Sequence, residues 1–243
     1  MVFPGANVSG LELGEDTELH GPSLSSALVT IFRGNFCDVI LPGRPSATFR
    51  RNEVIYDVGS SDRNFFFIQS GFIKVGTIRR DGGEIIYDIR KEGGVVGELC
   101  VQQSLRSDRA VALEESDVIP VPYSEIVEAL RKNPEFLARL IEIFCDCLTD
   151  AYEQINTLAF HDTARRVTHV LLDLASKIGR RAGSKTEIAT YLTQEDISHM
   201  VAARRERVST ALNLLRRRGM VEYSGQGHLL VDVAALQDHA AVL

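Results

Sequence analysis

Thr193-Gln194-Glu195-Asp196-Ile197, followed through a short turn by Arg204-Arg205-Glu206-Arg207-Val208-Ser209, reads as two helices meeting at an angle. Thr193 is a good N-cap, and Asp196 three residues on makes a loose variant of the reciprocal capping box, so a helix is predicted over Gln194–Val201. A second helix is predicted over Arg205–Arg218, with Val208, Leu212 and Leu215 facing inward and Gly219 ending it. Downstream, Met220–Tyr223 and His228–Asp232 flank Ser224-Gly225-Gln226-Gly227, a hairpin pattern. Upstream, Asp162 can cap a helix over Thr163–Ile178 that is amphipathic through Ala164, Val167, Leu171, Leu174 and Ala175. Between them, Gly179-Arg180-Arg181-Ala182-Gly183-Ser184 reads as a basic flexible loop and Glu187–Leu192 as a strand. Helix, short turn, helix and hairpin describe a winged helix-turn-helix.

In that motif the second helix lies in the DNA major groove and its first residues meet base edges. Arg204, Arg205, Glu206, Ser209 and Thr210 hold those positions, and Thr193 joins them as a DNA-contact candidate. Arginine forks onto the O6/N7 edge of guanine and glutamate accepts from the amino group of cytosine, so Arg205-Glu206 suits neighbouring G·C pairs. The net charge of −6 speaks against a polyanion partner until it is divided. Residues 162–243 carry 12 Lys/Arg against 9 Asp/Glu, a charge of +3, whereas residues 1–161 carry 15 against 24, a charge of −9. The asymmetry puts a polyanion on the C-terminal part.

A length of 243 residues, with 44% hydrophobic and 25% charged residues, fits a globular chain of two domains. From about Val39 to Pro122 the texture is β-rich: Phe65-Phe66-Phe67-Ile68, Phe72-Ile73-Lys74-Val75 and Ile85-Ile86-Tyr87-Asp88-Ile89 alternate with glycines, and Asp81-Gly82 is a tight-hairpin signal. An antiparallel barrel, sandwich or roll is expected there. Ser23 could cap a short helix over Leu24–Arg33. No apolar run approaches ~18 residues, so no membrane span is expected. Met1-Val2-Phe3-Pro4-Gly5-Ala6 lacks the basic start and apolar block of a secretion signal, which points to the cytoplasm. Cys37, Cys100, Cys145 and Cys147 match no zinc or iron–sulfur spacing and read as buried or half-buried free thiols.

Ser124–Lys132 reads as a helix, and a longer helical pattern runs from about Pro134 to Phe160. Its apolar residues Leu137, Ile141, Phe144, Leu148, Ala151, Ile155 and Leu158 step by four and three in turn, a heptad seam. A parallel homodimer about a two-fold axis is therefore expected.

From about Ile55 to Val233 the chain resembles the Crp/Fnr superfamily of bacterial regulators. The likeness rests on Gly97-Glu98-Leu99, Asn133-Pro134, Leu158-Ala159-Phe160 and Thr193-Gln194-Glu195-Asp196-Ile197. It implies an α+β chain: an effector-binding double-stranded β-roll of cyclic-nucleotide-binding type over 23–132, a dimerisation helix over 133–161 and a winged helix-turn-helix over 162–243. Arg205, Glu206 and Val208 match the catabolite-activator branch, and Glu206 with Ser209 matches the Fnr branch. Thr210 stands where each branch has arginine, so the half-site is expected to differ from both. Ala202 replaces the usual turn glycine and Arg204 a capping Ser or Thr, each costing about 1 kcal/mol.

In nucleotide-binding members Gly-Glu-Leu starts a short phosphate-binding helix and an Arg-Ser pair follows. The resemblance therefore assigns Gly97, Glu98, Leu99, Arg106 and Ser107 to an effector site, with Arg106 and backbone N–H groups on phosphate and Glu98 on a ribose hydroxyl. Arg109 is the alternative phosphate partner if the register slips. Ala151 and Tyr152 stand where cyclic AMP sensors reach the base from the dimer helix; only Tyr152 carries a hydroxyl. Cyclic AMP or another cyclic nucleotide leads, and cyclic di-GMP, 2-oxoglutarate or a vestigial pocket, with Glu98 and Arg106 merely paired, stay open. Occupancy would shift the seam helices about a hinge at Asp162 and set two recognition helices ~34 Å apart on a palindromic site. Contact with RNA polymerase through Ser176–Lys185 would then activate or repress transcription. No nucleophile–base or metal-ligand grouping appears, so neither enzyme nor metal site is expected. A dimeric interaction scaffold is the remaining alternative.

Overall fold

The computed structural model describes residues 40–80, 82–101, 105–132, 137, 141, 145, 148, 149, 151, 152, 154–159 and 161–242. The expected helix over Leu24–Arg33 lies outside them, as do Cys37, Cys147, Phe144 and the Asn133-Pro134 junction.

The N-terminal domain is built on eight strands: β1 (Ala47–Phe49), β2 (Val54–Tyr56), β3 (Asn64–Ser70), β4 (Phe72–Ile78), β5 (Glu84–Lys91), β6 (Val95–Val96), β7 (Arg109–Ala112) and β8 (Ser116–Pro122). They form two antiparallel sheets, ordered β1-β8-β3-β6 and β2-β7-β4-β5, facing each other as a roll. The apolar run in β3 shows why. Successive strand residues point to opposite faces. Phe66 and Ile68 join the inner core with Tyr56, Ile73, Val75, Val96, Ala110 and Val118. Phe65 and Phe67 join a second core with Val95, Ile119, Val121 and Ile126, the last contributed by helix α1 (Tyr123–Lys132). A strand buried on both sides needs the unbroken Phe65–Ile68 run.

β5 carries a bulge. Val75 pairs with Asp88 and Gly76 with Ile86, which leaves Tyr87 without a cross-strand partner. The extra residue switches the parity of the strand. Asp88 and Arg90 lie opposite Val75 and Ile73 on the inner face, whereas Ile86 and Ile89 both face outward. Gly76 permits this crowding, since a Cβ there would sit 2.1 Å from the Ile85 carbonyl oxygen.

Described residues from 137 to 159 are helical. Leu137, Ile141, Leu148 and Ile155 are 48–58% exposed in the single chain. Cys145 is exposed as well, which corrects the expectation of a buried or half-buried thiol; Cys100 is buried. Among the described residues, no neighbour covers the thiol along these turns.

The C-terminal domain comprises α2 (Thr163–Ile178), β9 (Gly179–Ala182), β10 (Lys185–Ile188), α3 (Gln194–Met200), α4 (Arg205–Arg217), β11 (Val221–Tyr223), β12 (Leu229–Val231) and α5 (Val233–Val242). Its strands form one sheet, β11-β12-β10-β9. Two expectations are corrected. Gly179–Ser184 is no flexible loop: Gly179–Ala182 pairs residue by residue with Lys185–Ile188. The predicted strand over Glu187–Leu192 ends at Ile188, because the chain bends through Ala189 and Thr190 to bring Thr193 to the start of α3. Helix α5, which the sequence reading missed, is anchored by fully buried Leu236.

The two domains share a core. Phe72, Ile86, Ile89 and Leu113 of the roll pack with Leu171, Leu174, Ile197 and Leu212 of the C-terminal domain. Polar contacts frame this seat: Lys74 Nζ lies 3.0 Å from Asp196 and 3.3 Å from Glu84, Lys177 lies 3.2 Å from Asp88, and the Arg51 guanidinium stacks over Tyr191 at 5.0 Å. No helix among the described residues is long and apolar enough to cross a membrane.

Candidate functional site

The expected effector residues divide into a buried set and a surface set. Gly97 leaves β6 with φ +94°, and a Cβ there would lie 2.7 Å from the Asn64 carbonyl and 3.0 Å from Arg106 Nη1. Only glycine fits so close to two neighbours. Glu98 opens a single 3-10 turn, Glu98–Val101, where a short phosphate-binding helix was expected. The turn closes through Cys100 N–H on the Gly97 carbonyl at 3.3 Å.

Arg106 is fully buried at its side chain. Its Nη1 donates to the Gly97 carbonyl at 2.8 Å, and its Nη2 to the Asn64 carbonyl at 2.6 Å and to Asp62 at 3.0 Å. The guanidinium stacks 3.9 Å above the Tyr56 ring, a cation–π contact strengthened by the dry surroundings. Arg106 Nε has no hydrogen-bond partner among the described residues. Glu98 does not pair with Arg106, as the vestigial reading supposed. Its Oε1 accepts from Arg90 Nη2 at 2.6 Å, while buried Oε2 has no hydrogen-bond partner among the described residues. Leu99 is 44% exposed, Ser107 is exposed, and Tyr152 stands 58% exposed on the seam helix, so these three lie at the surface and outside the buried set. Arg109, the alternative, points its Nε to Asp57 at 3.5 Å.

Four residues that sequence reasoning missed, Arg90, Asp88, Asp108 and Tyr56, complete the buried set. Arg90 donates to the Val95 carbonyl and lies 3.4 Å from Asp88 as well as against Glu98. Burial alone would favour loss of its proton, but the Glu98 and Asp88 carboxylates more than offset this and hold it charged. Asp108 accepts from the Tyr56 hydroxyl at 2.8 Å. Burial raises the Asp108 carboxyl above its ordinary value, against the opposing Tyr56 hydrogen bond, and burial with the Asp108 and Glu98 charges raises the Tyr56 phenol. The available signal was the alternation in Ile85–Arg90, which puts Asp88 and Arg90 on one face of a strand whose partners Ile73 and Val75 are apolar.

The expected DNA-reading residues lie on α3 and α4. Thr193 and Asp196 form a full capping box: Thr193 Oγ1 accepts from Asp196 N–H at 3.0 Å, and Asp196 accepts from Thr193 N–H at 3.0 Å. Burial pushes the Asp196 carboxyl up, and the Thr193 and Lys74 contacts overcome this to hold it below its ordinary value. The turn to α4 passes through Ala202 at φ +49°, left-handed backbone that suits glycine. Arg204 takes the N-cap position with no side-chain capping bond. Val208, Ala211, Leu212 and Leu215 bury the inner face of α4, which leaves Arg204, Arg205, Glu206, Arg207 and Thr210 exposed and Ser209 half-buried. Thr210 Oγ1 donates to the Glu206 carbonyl at 2.9 Å, so its hydroxyl proton is already engaged. Farther along, Asn213, Arg216 and Arg217 line a cleft with Tyr223 on β11.

Comparisons with known proteins agree with this geometry in both halves. A cyclic nucleotide-binding domain model matches residues 47–133, and a Crp-like helix-turn-helix domain model matches residues 165–239. The chain is 27% identical over 193 residues to a CRP-like cAMP-activated global transcriptional regulator of Mycobacterium tuberculosis, covering 79% of this chain and 86% of that one. It is 27% identical over 202 residues to a global nitrogen regulator of Nostoc, covering 80% and 88%. Among solved structures, FixK2 of Bradyrhizobium japonicum superposes with a TM-score of 0.69 at 19% identity, over 80% of this chain and 96% of that one.

Proposed function

The chain belongs to the Crp/Fnr superfamily of transcription regulators, and from this premise we propose that it works as a homodimer on inverted-repeat promoter sites under the control of a small effector. One observation carries the DNA reading: α4 is pinned by Val208, Leu212 and Leu215 and turns Arg205 and Glu206 outward at its N-terminal end. Thr193, Arg204, Ser209 and Thr210 flank that pair. The exposed Leu137, Ile141, Leu148 and Ile155 supply the face on which a second copy would close. The working units are an effector roll over 23–132, a dimerisation helix over 133–161 and a DNA-binding domain over 162–243, acting in the cytoplasm. RNA polymerase would be met at the β9–β10 hairpin, where Arg180 and Arg181 are exposed.

The effector site is the Gly97–Glu98–Arg106 corner, with Leu99, Ser107 and Tyr152 as contributors on closure. The name of the Mycobacterium relative makes cyclic AMP the first ligand to try. A second reading is favoured by the hydrogen bonds of this chain. Arg106 is held by two carbonyls and Asp62, and Glu98 by Arg90, so a phosphate and a ribose would have to displace internal partners. The roll would then act without a nucleotide, its own side chains standing in for one.

Two measurements decide. DNA selection from a random duplex library should return an inverted repeat with half-sites one helical turn apart; an unpatterned pool would leave only the dimeric scaffold. Titration calorimetry with cyclic AMP, cyclic GMP and cyclic di-GMP should give heat with one of them. Silence with all three selects the nucleotide-independent regulator.

A further inference from the structure

Charges inside the roll form an unbroken line to the C-terminal domain. Glu98 Oε1 lies 2.6 Å from Arg90 Nη2, Arg90 Nε lies 3.4 Å from Asp88 Oδ2, and Asp88 Oδ1 lies 3.2 Å from Lys177 Nζ. Lys177 sits in the last turn of α2, where it also pairs with Asp173 at 2.9 Å. The side chains of Glu98, Arg90, Asp88 and Lys177 are 11%, 5%, 11% and 14% exposed. Little water reaches these pairs, so each charge feels its neighbours strongly. Asp88 is the shared element, one oxygen toward each cation.

We propose that Arg90 is a positioning residue that couples the Glu98 carboxylate to the seat of α2, so that whatever engages Glu98 changes how firmly the DNA-binding domain is held on β5. The proposal rests on the reading of the roll as the effector module. When Glu98 turns to a ligand, the Arg90 guanidinium keeps Asp88 as its one carboxylate partner and draws closer to it. Less of the Asp88 charge then faces Lys177, whose contact with Asp173 stays within α2. The seat loosens without any movement of the apolar core.

Amide hydrogen exchange on the full-length protein, free of DNA and nucleotide, tests the line. Glu98→Gln should speed exchange in α2 from Leu171 to Ile178 by about fivefold or more, the low end of measured site-to-site coupling. Lys177→Met should do the same, and the double variant should add nothing beyond Lys177→Met, because both changes break one line. By reciprocity, Lys177→Met should also speed exchange at Gly97–Val101 inside the roll. Arg90→Lys, which keeps the charge, should hold α2 nearer to wild type than Arg90→Met. Wild-type exchange in α2 of Glu98→Gln, or single effects that multiply in the double variant, would overturn the coupling. If Glu98→Gln fails to fold, unchanged Gly97–Val101 exchange in Lys177→Met overturns it instead. Failure of the function reading looks different: a protein indifferent to inverted repeats would still show these exchange rates.

Discussion

Arg205 and Ala202 illustrate two kinds of residue in the DNA-reading corner, one turned toward a partner and one under local strain. Arg205 is exposed at the first position of α4, with no internal partner among the described contacts. Arg205→Ala is expected to weaken specific binding by ~1–3 kcal/mol and to relax the preference at one G·C pair. Equal loss on random duplex would refute base reading and leave a phosphate contact. Ala202 holds φ +49°, which costs an L-residue about 1–2 kcal/mol, whereas glycine there adds about 0.4–1 kcal/mol of chain entropy to the unfolded state. Ala202→Gly should therefore raise stability by about 0.5–1 kcal/mol, read as a higher denaturant midpoint; an unchanged or lower midpoint would show that the turn carries no strain. Both residues were legible in the sequence, because Arg205 fills a position of a motif with a known backbone and Ala202 departs from one. Arg90 was not. A charge alternating with isoleucines looks like the wet side of a strand until the opposite sheet covers it.

At the scale of elements, the described residues of the long helix carry an apolar stripe that lacks a cover in the single chain. Burying a leucine or isoleucine side chain is worth about 1.5–3 kcal/mol, so four such residues left 48–58% exposed make a solitary chain costly. Ile155→Glu puts a charge into that stripe. Sedimentation should show a species of 26.9 kDa in place of one twice that mass, with the helix-turn-helix still folded; an unchanged mass would place the dimer contact elsewhere. The stripe, the α3 capping box and the β4–β5 hairpin could all be read in advance, since each is a local pattern with one mechanical solution. Strand β9 could not. Gly179-Arg180-Arg181-Ala182 has no apolar alternation, and it becomes a strand only because β10 offers an open edge for its backbone. Helix α5 was missed for a similar reason: its hold on the domain comes mainly from Leu236, too little to set a period.

The whole molecule is bound together by a core that ignores the domain boundary. Ile86 and Ile89 leave the roll and enter the C-terminal cluster beside Leu171 and Ile197. Calorimetry should accordingly show one melting transition for the wild type. Ile89→Ala, at a cost of about 2–5 kcal/mol, should split it into two. Two transitions in the wild type would mean that this seat is weaker than its burial suggests. The same strand holds a spare residue. Because Tyr87 faces no partner across the ladder, an in-frame loss of its codon would leave Ile86, Asp88, Ile89 and Arg90 on the sides they already occupy. Losing Asp88 would keep those faces but bring Tyr87 into its inner place and strip Arg90 and Lys177 of a carboxylate, and losing Ile89 would move Asp88 to the outer face or turn Arg90 out of the roll. Among deletions in this hairpin, the one at Tyr87 should be the one from which soluble protein is still recovered.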